Sequence, residues 1–222
     1  MNKNKLFNTE KTLVRDVMLI KADGTLEEFT EDHEKILYLI LKYSHTARDK
    51  TEKDKWIREL PLLALIHYGI LKKALDFDYA PASVELEIGR KFFNISQEGL
   101  DIIEDLREFG FIDCLKLSST SHLFVAGYKI NHEGLKIVHG LHGKLKVSDD
   151  VKKQIDKLIL CPNCESIIEV DVKIIPETKD VAVDMVCSIP SCEFREPIGM
   201  EQLEDVSYVS EPYLPRYSRR LA

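Results

Sequence analysis

The sequence predicts an α+β fold: a helical core, a β-hairpin laid against it and a small metal-binding β-hairpin at the C-terminal end. Helical apolar stripes with capping residues recur between Thr30 and Leu160. β-Rich runs separated by turn residues punctuate them. Four of the five cysteines fall in two close pairs that flank a strand-turn-strand pattern. With 222 residues the chain holds one or two domains. Its 44% apolar and 31% charged residues supply a core and exclude disorder as the main state. The formal net charge of −7 and pI of 5.6 leave any contact with nucleic acid to a local patch. The start Met1-Asn2-Lys3-Asn4-Lys5-Leu6-Phe7-Asn8 lacks the apolar stretch of a secretory signal, so the expectation is an intracellular protein. The most apolar run, Leu60–Leu71, is too short to span a bilayer and reads as a core helix, so no membrane partner is expected.

Taken in order, Val14–Ile20 and Leu26–Phe29 make a hairpin across the turn-forming Asp23-Gly24. Thr30 caps a helix with Glu31, Asp32 and Glu34 in its first turn and Ile36, Leu37, Ile40, Leu41 and Tyr43 on its apolar face. The charged segment Ser44–Lys55 reads as a linker. Trp56–Leu75 is helical and apolar nearly all round, with Pro61 kinking it or opening a second helix. The spacing of Val84, Ile88 and Phe92 predicts a helix over Ser83–Phe93. Ser96 caps the next helix, whose stripe is Leu100, Ile103, Leu106 and Phe109, with Gly110 at its C-cap. Phe111–Ser118 and Leu123–Ile130 form a hairpin across a serine/threonine loop. Asn131 caps a helix through Leu135, Val138 and Leu141, and Ser148 caps another over Val151–Leu160.

Three helices, a hairpin and a further helix are the order of a winged-helix domain, and Pro61–Val138 resembles that superfamily. Leu106-Arg107-Glu108-Phe109-Gly110-Phe111-Ile112 resembles the end of its third helix and the entry to the wing. Tyr128-Lys129-Ile130-Asn131-His132-Glu133-Gly134-Leu135 is similar to its exit from the wing. The implied division is an N-terminal hairpin and helix over 1–50, a winged helix over 51–147, a linker helix and zinc ribbon over 148–205, and a tail over 206–222.

Cys161, Cys164, Cys187 and Cys192 read C-x2-C, a gap of 22 residues, and C-x4-C. Two such pairs brought together by a hairpin (Ile167–Ile175 and Val181–Val186) give a tetrahedral thiolate cage suited to zinc. The alternatives are two disulfides, which a reducing compartment opposes, and a redox dithiol, which calls for a helix where Glu165 onward alternates as a strand. Four sulfur ligands leave no place for water or substrate, so the zinc is expected to be structural. The spacing resembles the zinc-binding region of the Ogr/Delta phage transcription activators and, more loosely, transcription-factor zinc ribbons. The order of winged helix and ribbon is similar to that of archaeal transcription factor E, which implies contacts with a polymerase. The two cores are expected to be separate, so that metal loss unfolds only the residues after Leu160.

The helix after Ser96 carries Glu98, Asp101, Glu104, Asp105 and Glu108 against Arg107 alone. Such a face repels phosphates; it either keeps the domain soluble or docks a protein partner. Lys72, Lys73, Arg90 and Lys91 are the candidate phosphate contacts, too few to dominate affinity. His132, His139 and His142 read as exposed or capping histidines, and Cys114 as a small buried apolar residue. The tail Tyr208–Arg220 has no period and either docks in extended form or frays. The expected function is a non-catalytic interaction module, a subunit or accessory factor of a larger, transcription-related assembly; the alternative is a DNA-binding transcription regulator.

Overall fold

The structure, a computed structural model, describes residues 17–21, 24–47, 49, 51–86, 88–117, 125–175, 177–178 and 180–202. Strands β1 (Val17–Ile20) and β2 (Leu26–Phe29) pair antiparallel with Ile20 opposite Leu26. Helix α1 (Glu31–Tyr43) follows an extended Thr30, with Glu31, Asp32 and Glu34 in the first turn, where negative charge favours the helix dipole. Its Ile36, Leu37, Leu39 and Ile40 are completely buried. Strand β3 (Ile57–Arg58) leads into helix α2 (Glu59–Leu71), in whose first turn Pro61 sits without breaking a helical hydrogen bond. A helix apolar all round must lie at the centre of the molecule, and Leu62 to Gly69 are all buried.

The segment expected as a helix over Ser83–Phe93 is instead a β-hairpin, β4 (Ala80–Leu86) and β5 (Gly89–Ile95), with Val84 opposite Lys91. Spacing four is also spacing two taken twice. Ala82, Val84 and Leu86 alternate with Ser83 on a half-buried sheet, and Gly89 at φ 108° sits at the turn, in a conformation glycine alone adopts freely. Helix α3 (Gln97–Glu108) begins where expected: Ser96 Oγ accepts the Gly99 amide at 3.2 Å, and Gly110 at φ 74° follows its C-terminus. Strands β6 (Ile112–Leu117) and β7 (Val125–Ile130) form the next hairpin; its serine/threonine loop lies outside the described residues. β3 joins β7 on the other side, giving a sheet of order β3-β7-β6. Asn131 caps α4 (His132–Val138), where Gly134 is required because a Cβ would stand 2.3 Å from the Phe111 carbonyl oxygen.

Ser148 caps α5 (Asp149–Ile159), which delivers the chain to β8 (Ile168–Ile175) and β9 (Asp180–Cys187). β10 (Arg195–Pro197) adds to β9, and β11 (Glu201–Gln202) returns to pair with β5. The cores are not separate. One contiguous apolar cluster runs from Ile36 and Leu62 through Ile155 to Ile168, Met185 and Met200, correcting the expectation of an independent C-terminal unit. Polar bonds sew the same seam: Tyr43 donates to the Ile168 carbonyl at 2.7 Å, Tyr68 to Glu196 at 3.0 Å and the Asn94 amide to the Met200 carbonyl at 2.8 Å. Among the described residues no helix is long and apolar enough to cross a membrane.

At the other end, His33 ties the N-terminal hairpin and α1 to α3. Its Nδ1 accepts the Thr30 amide at 3.2 Å, its Nε2 faces Asp105 at 3.4 Å, and Lys21 reaches the same carboxylate at 2.6 Å. Burial lowers the His33 pKa below its ordinary 6.5, against the raising influence of Asp105, Asp32 and Glu27. His67, buried on α2, is lowered by burial alone. A histidine depressed in the folded state contributes stability that is complete above the unfolded pKa and is lost as pH falls through the folded value. The unfolding midpoint is therefore expected to drop on acidification from about pH 7 to about pH 5, with part of that drop removed in His33→Gln. Thermal melts across this range check it; an unchanged slope in the variant contradicts the assignment.

Candidate metal centre

The centre is built from two turns. Leu160 bridges to Ile167 as α5 ends, and between them Cys161, Cys164 and Glu165 form a tight turn in which the Glu165 amide donates to the Cys161 carbonyl at 2.9 Å. The chain can reverse there because Glu165 adopts φ 59°, a left-handed conformation that costs a residue with a Cβ about 1–2 kcal/mol. The Cys161 amide then donates to the Ser166 carbonyl at 2.8 Å. The second turn follows β9. The Ser188 amide donates to the Ile167 carbonyl at 3.1 Å, tying it to the first turn, and the Ile189 amide points at Cys187 Sγ at 3.4 Å. The Cys192 amide donates to the Ile189 carbonyl at 2.9 Å.

These turns bring all four sulfurs within 4.8 Å of one another, with Cys161 to Cys192 at 3.6 Å and Cys164 to Cys187 at 3.4 Å. A tetrahedral ion with metal-sulfur bonds of about 2.3 Å needs sulfur-sulfur edges of about 3.8 Å, so the quartet has the dimensions of a metal cage. The cysteines are free thiols, and the four can hold a metal ion. Cys161 is 1% exposed and belongs to the core, whereas Cys164 lies at the surface. The amide and hydroxyl of Ser166 and the neighbouring Cys187 thiol pull the Cys164 pKa down to about 6. Desolvation pushes Cys187 up to about 12. A bound cation would favour the thiolate form of all four sulfurs.

The remaining candidates do not converge on one site. On α3, Glu98 accepts the Asp78 amide at 2.8 Å, Asp101 accepts from Gln97 at 2.8 Å, Glu104 pairs with Arg107, and Asp105 is held by Lys21 and His33. Glu98, Asp101 and Glu104 are exposed; Glu108 is half-buried. Lys72 is engaged with Glu196 at 2.7 Å and Lys91 with Glu201 at 3.2 Å, both seam contacts to the C-terminal strands. Arg90 and Lys91 lie on β5 rather than on a helix, and Lys73 ends α2 at φ 58°. His132 and His139 are exposed, His142 packs edge-on against Phe111, and Cys114 is half-buried on β6. The tail from Tyr208 lies outside the described residues. Sequence reasoning missed the contributions of Glu165 and Ser166, although the residue after the second cysteine of a tight C-x2-C turn is where a left-handed conformation falls.

A model of the family described as "Uncharacterized protein MJ1567 family" matches residues 32–183, about two thirds of the chain. The chain belongs to this family. The matched segment runs from α1 into β9 and includes Cys161 and Cys164. No curated protein and no solved structure matches the chain significantly.

Because Glu165 holds a strained φ at the surface, Glu165→Gly is expected to stabilise the chain by about 1 kcal/mol, raising its melting temperature by about 2–4 °C. Differential scanning calorimetry checks this, and a lowered melting temperature contradicts it.

Proposed function

We propose that the chain is a non-catalytic interaction module in which a winged-helix-type body is stapled by a structural zinc ribbon, serving as an accessory subunit of a larger assembly. The observation that carries the reading is the sulfur quartet. Four thiolates in a tetrahedron favour zinc and fill its coordination, leaving no position at which the metal could activate water or substrate. Iron is the other ion suited to four sulfurs.

The winged-helix part of the reading is supported by the order α1, β3, α2, α3, β6, β7 and by the sheet β3-β7-β6, in which the first short strand pairs beside the last. The hairpin β4-β5 is then an insertion between the second and third helices, and the first helix is α1 rather than α2. α3 takes the place of the helix that reads DNA in such domains. Its exposed Glu98, Asp101 and Glu104 would meet phosphates with like charge, and Lys72 and Lys91 are spent on internal pairs. A protein partner suits this surface better. The second reading, a DNA-binding regulator, draws on the same strand and helix order.

Two measurements test the proposal together. Elemental analysis of the purified chain is expected to give about one zinc per chain, lost in Cys161→Ser. Iron in its place, or a metal-free chain, contradicts the zinc assignment. Mobility-shift titration with duplex DNA at low salt is expected to show no binding; binding that falls steeply with added salt overturns the first reading in favour of the second.

A further inference from the structure

Two sulfur-sulfur contacts cross between the two turns of the cage. Cys164, the exposed member, has Cys187 at 3.4 Å, while the buried Cys161 has Cys192 at 3.6 Å. An oxidant arriving from solvent therefore meets Cys164 first, with a second sulfur already in van der Waals contact behind it. The two residues belong to different halves of the ribbon: Cys164 lies in the turn before β8, and Cys187 ends β9 opposite Ile168. Joining them adds a cross-link at the open end of the β8-β9 hairpin, where Ile168 faces Cys187, between strands already in register. Cys161 is anchored differently, through the buried cluster and through its amide on the Ser166 carbonyl.

We propose that Cys164 and Cys187 are a hydroperoxide-sensitive pair whose oxidation to a disulfide ejects the metal; this rests on the metal reading above. The Cys164 sulfur attacks one oxygen of the hydroperoxide, the O–O bond breaks, and the other oxygen leaves as hydroxide or alkoxide and is protonated. Cys164 becomes a sulfenic acid. The Cys187 sulfur attacks that sulfur, the S–O bond breaks, and the second oxygen leaves as water. Two thiolates have lost two electrons, and one peroxide has been reduced by two. Two of four ligands are gone from the ion, and the remaining pair, Cys161 and Cys192, holds it too weakly to keep it. A thiol reductant reverses the step by exchange at the disulfide, after which the cage can refill.

The full chain, metal content measured first, is treated with hydrogen peroxide in slight excess. A chromogenic chelator follows the released zinc, and the remaining thiols are alkylated for peptide mass spectrometry. The expected result is release of about one zinc per chain with a Cys164–Cys187 disulfide, while Cys114, Cys161 and Cys192 are recovered alkylated. Thiol reductant plus zinc restores the starting state. Metal retained at this peroxide dose overturns the proposal, as does release with a Cys161–Cys164 linkage or with irreversible sulfonic acids. If the chain holds no metal at the outset, the metal reading fails by itself. The disulfide map of the peroxide-treated metal-free chain still decides the pairing: Cys164 linked to Cys187 upholds the reactive pair, and any other linkage overturns it.

Discussion

Four cysteine sulfurs gathered within 4.8 Å repel one another once ionised, and the turn that presents two of them holds Glu165 at a costly φ of 59°. Without a cation the arrangement is a local liability. With one, the repulsion becomes coordination, and the free energy of binding is free energy of folding. The position of the quartet makes this more than a local matter. Cys161 follows α5 directly and is itself part of the core, so whatever fixes the sulfurs also fixes where α5 ends and β8 begins.

From that junction the constraint spreads through named contacts. β8 sits under α1 through the Tyr43 hydroxyl, whose buried bond to the Ile168 carbonyl leaves an unsatisfied acceptor if removed. β10 is tied to α2 by Glu196, which receives both Tyr68 and Lys72. β11 closes the β4-β5 sheet, and its buried Glu201 takes the Val181 amide at 2.7 Å and faces Lys91 at 3.2 Å. The basic residues that in isolation suggested phosphate contacts, Lys72 and Lys91, are thus used to hold the C-terminal strands to the body. Their charges answer carboxylates of this chain, Glu196 and Glu201.

Local chemistry was legible in the sequence. Ser96, Asn131 and Ser148 each cap the helix they were expected to cap, because a short polar side chain before an apolar stripe has few better uses. The cysteine spacing, with β-rich runs between the pairs, led to the hairpin that brings the sulfurs together. Ser83–Phe93 misled because apolar residues four apart satisfy both periods, and only Gly89 at the turn and the β-branched and aromatic content favoured strands. β3, β10 and β11 are two or three residues long and owe their existence to partners far along the chain. No local pattern encodes them. The same holds for the shared core, since Ile168, Met185 and Met200 look identical in sequence whether they face one another or α2.

On the proposed reading, the metal-loaded sulfur quartet and the helices form one cooperative unit. Thermal unfolding of the chain with and without a chelator tests it most directly, read by far-ultraviolet circular dichroism for the helices and by the emission of Trp56, which lies under the Lys129 ammonium at 4.8 Å. One transition seen alike by both probes is expected, shifted down on the order of 10 °C when metal is removed. A helical and Trp56 transition that stays in place on metal removal would contradict it.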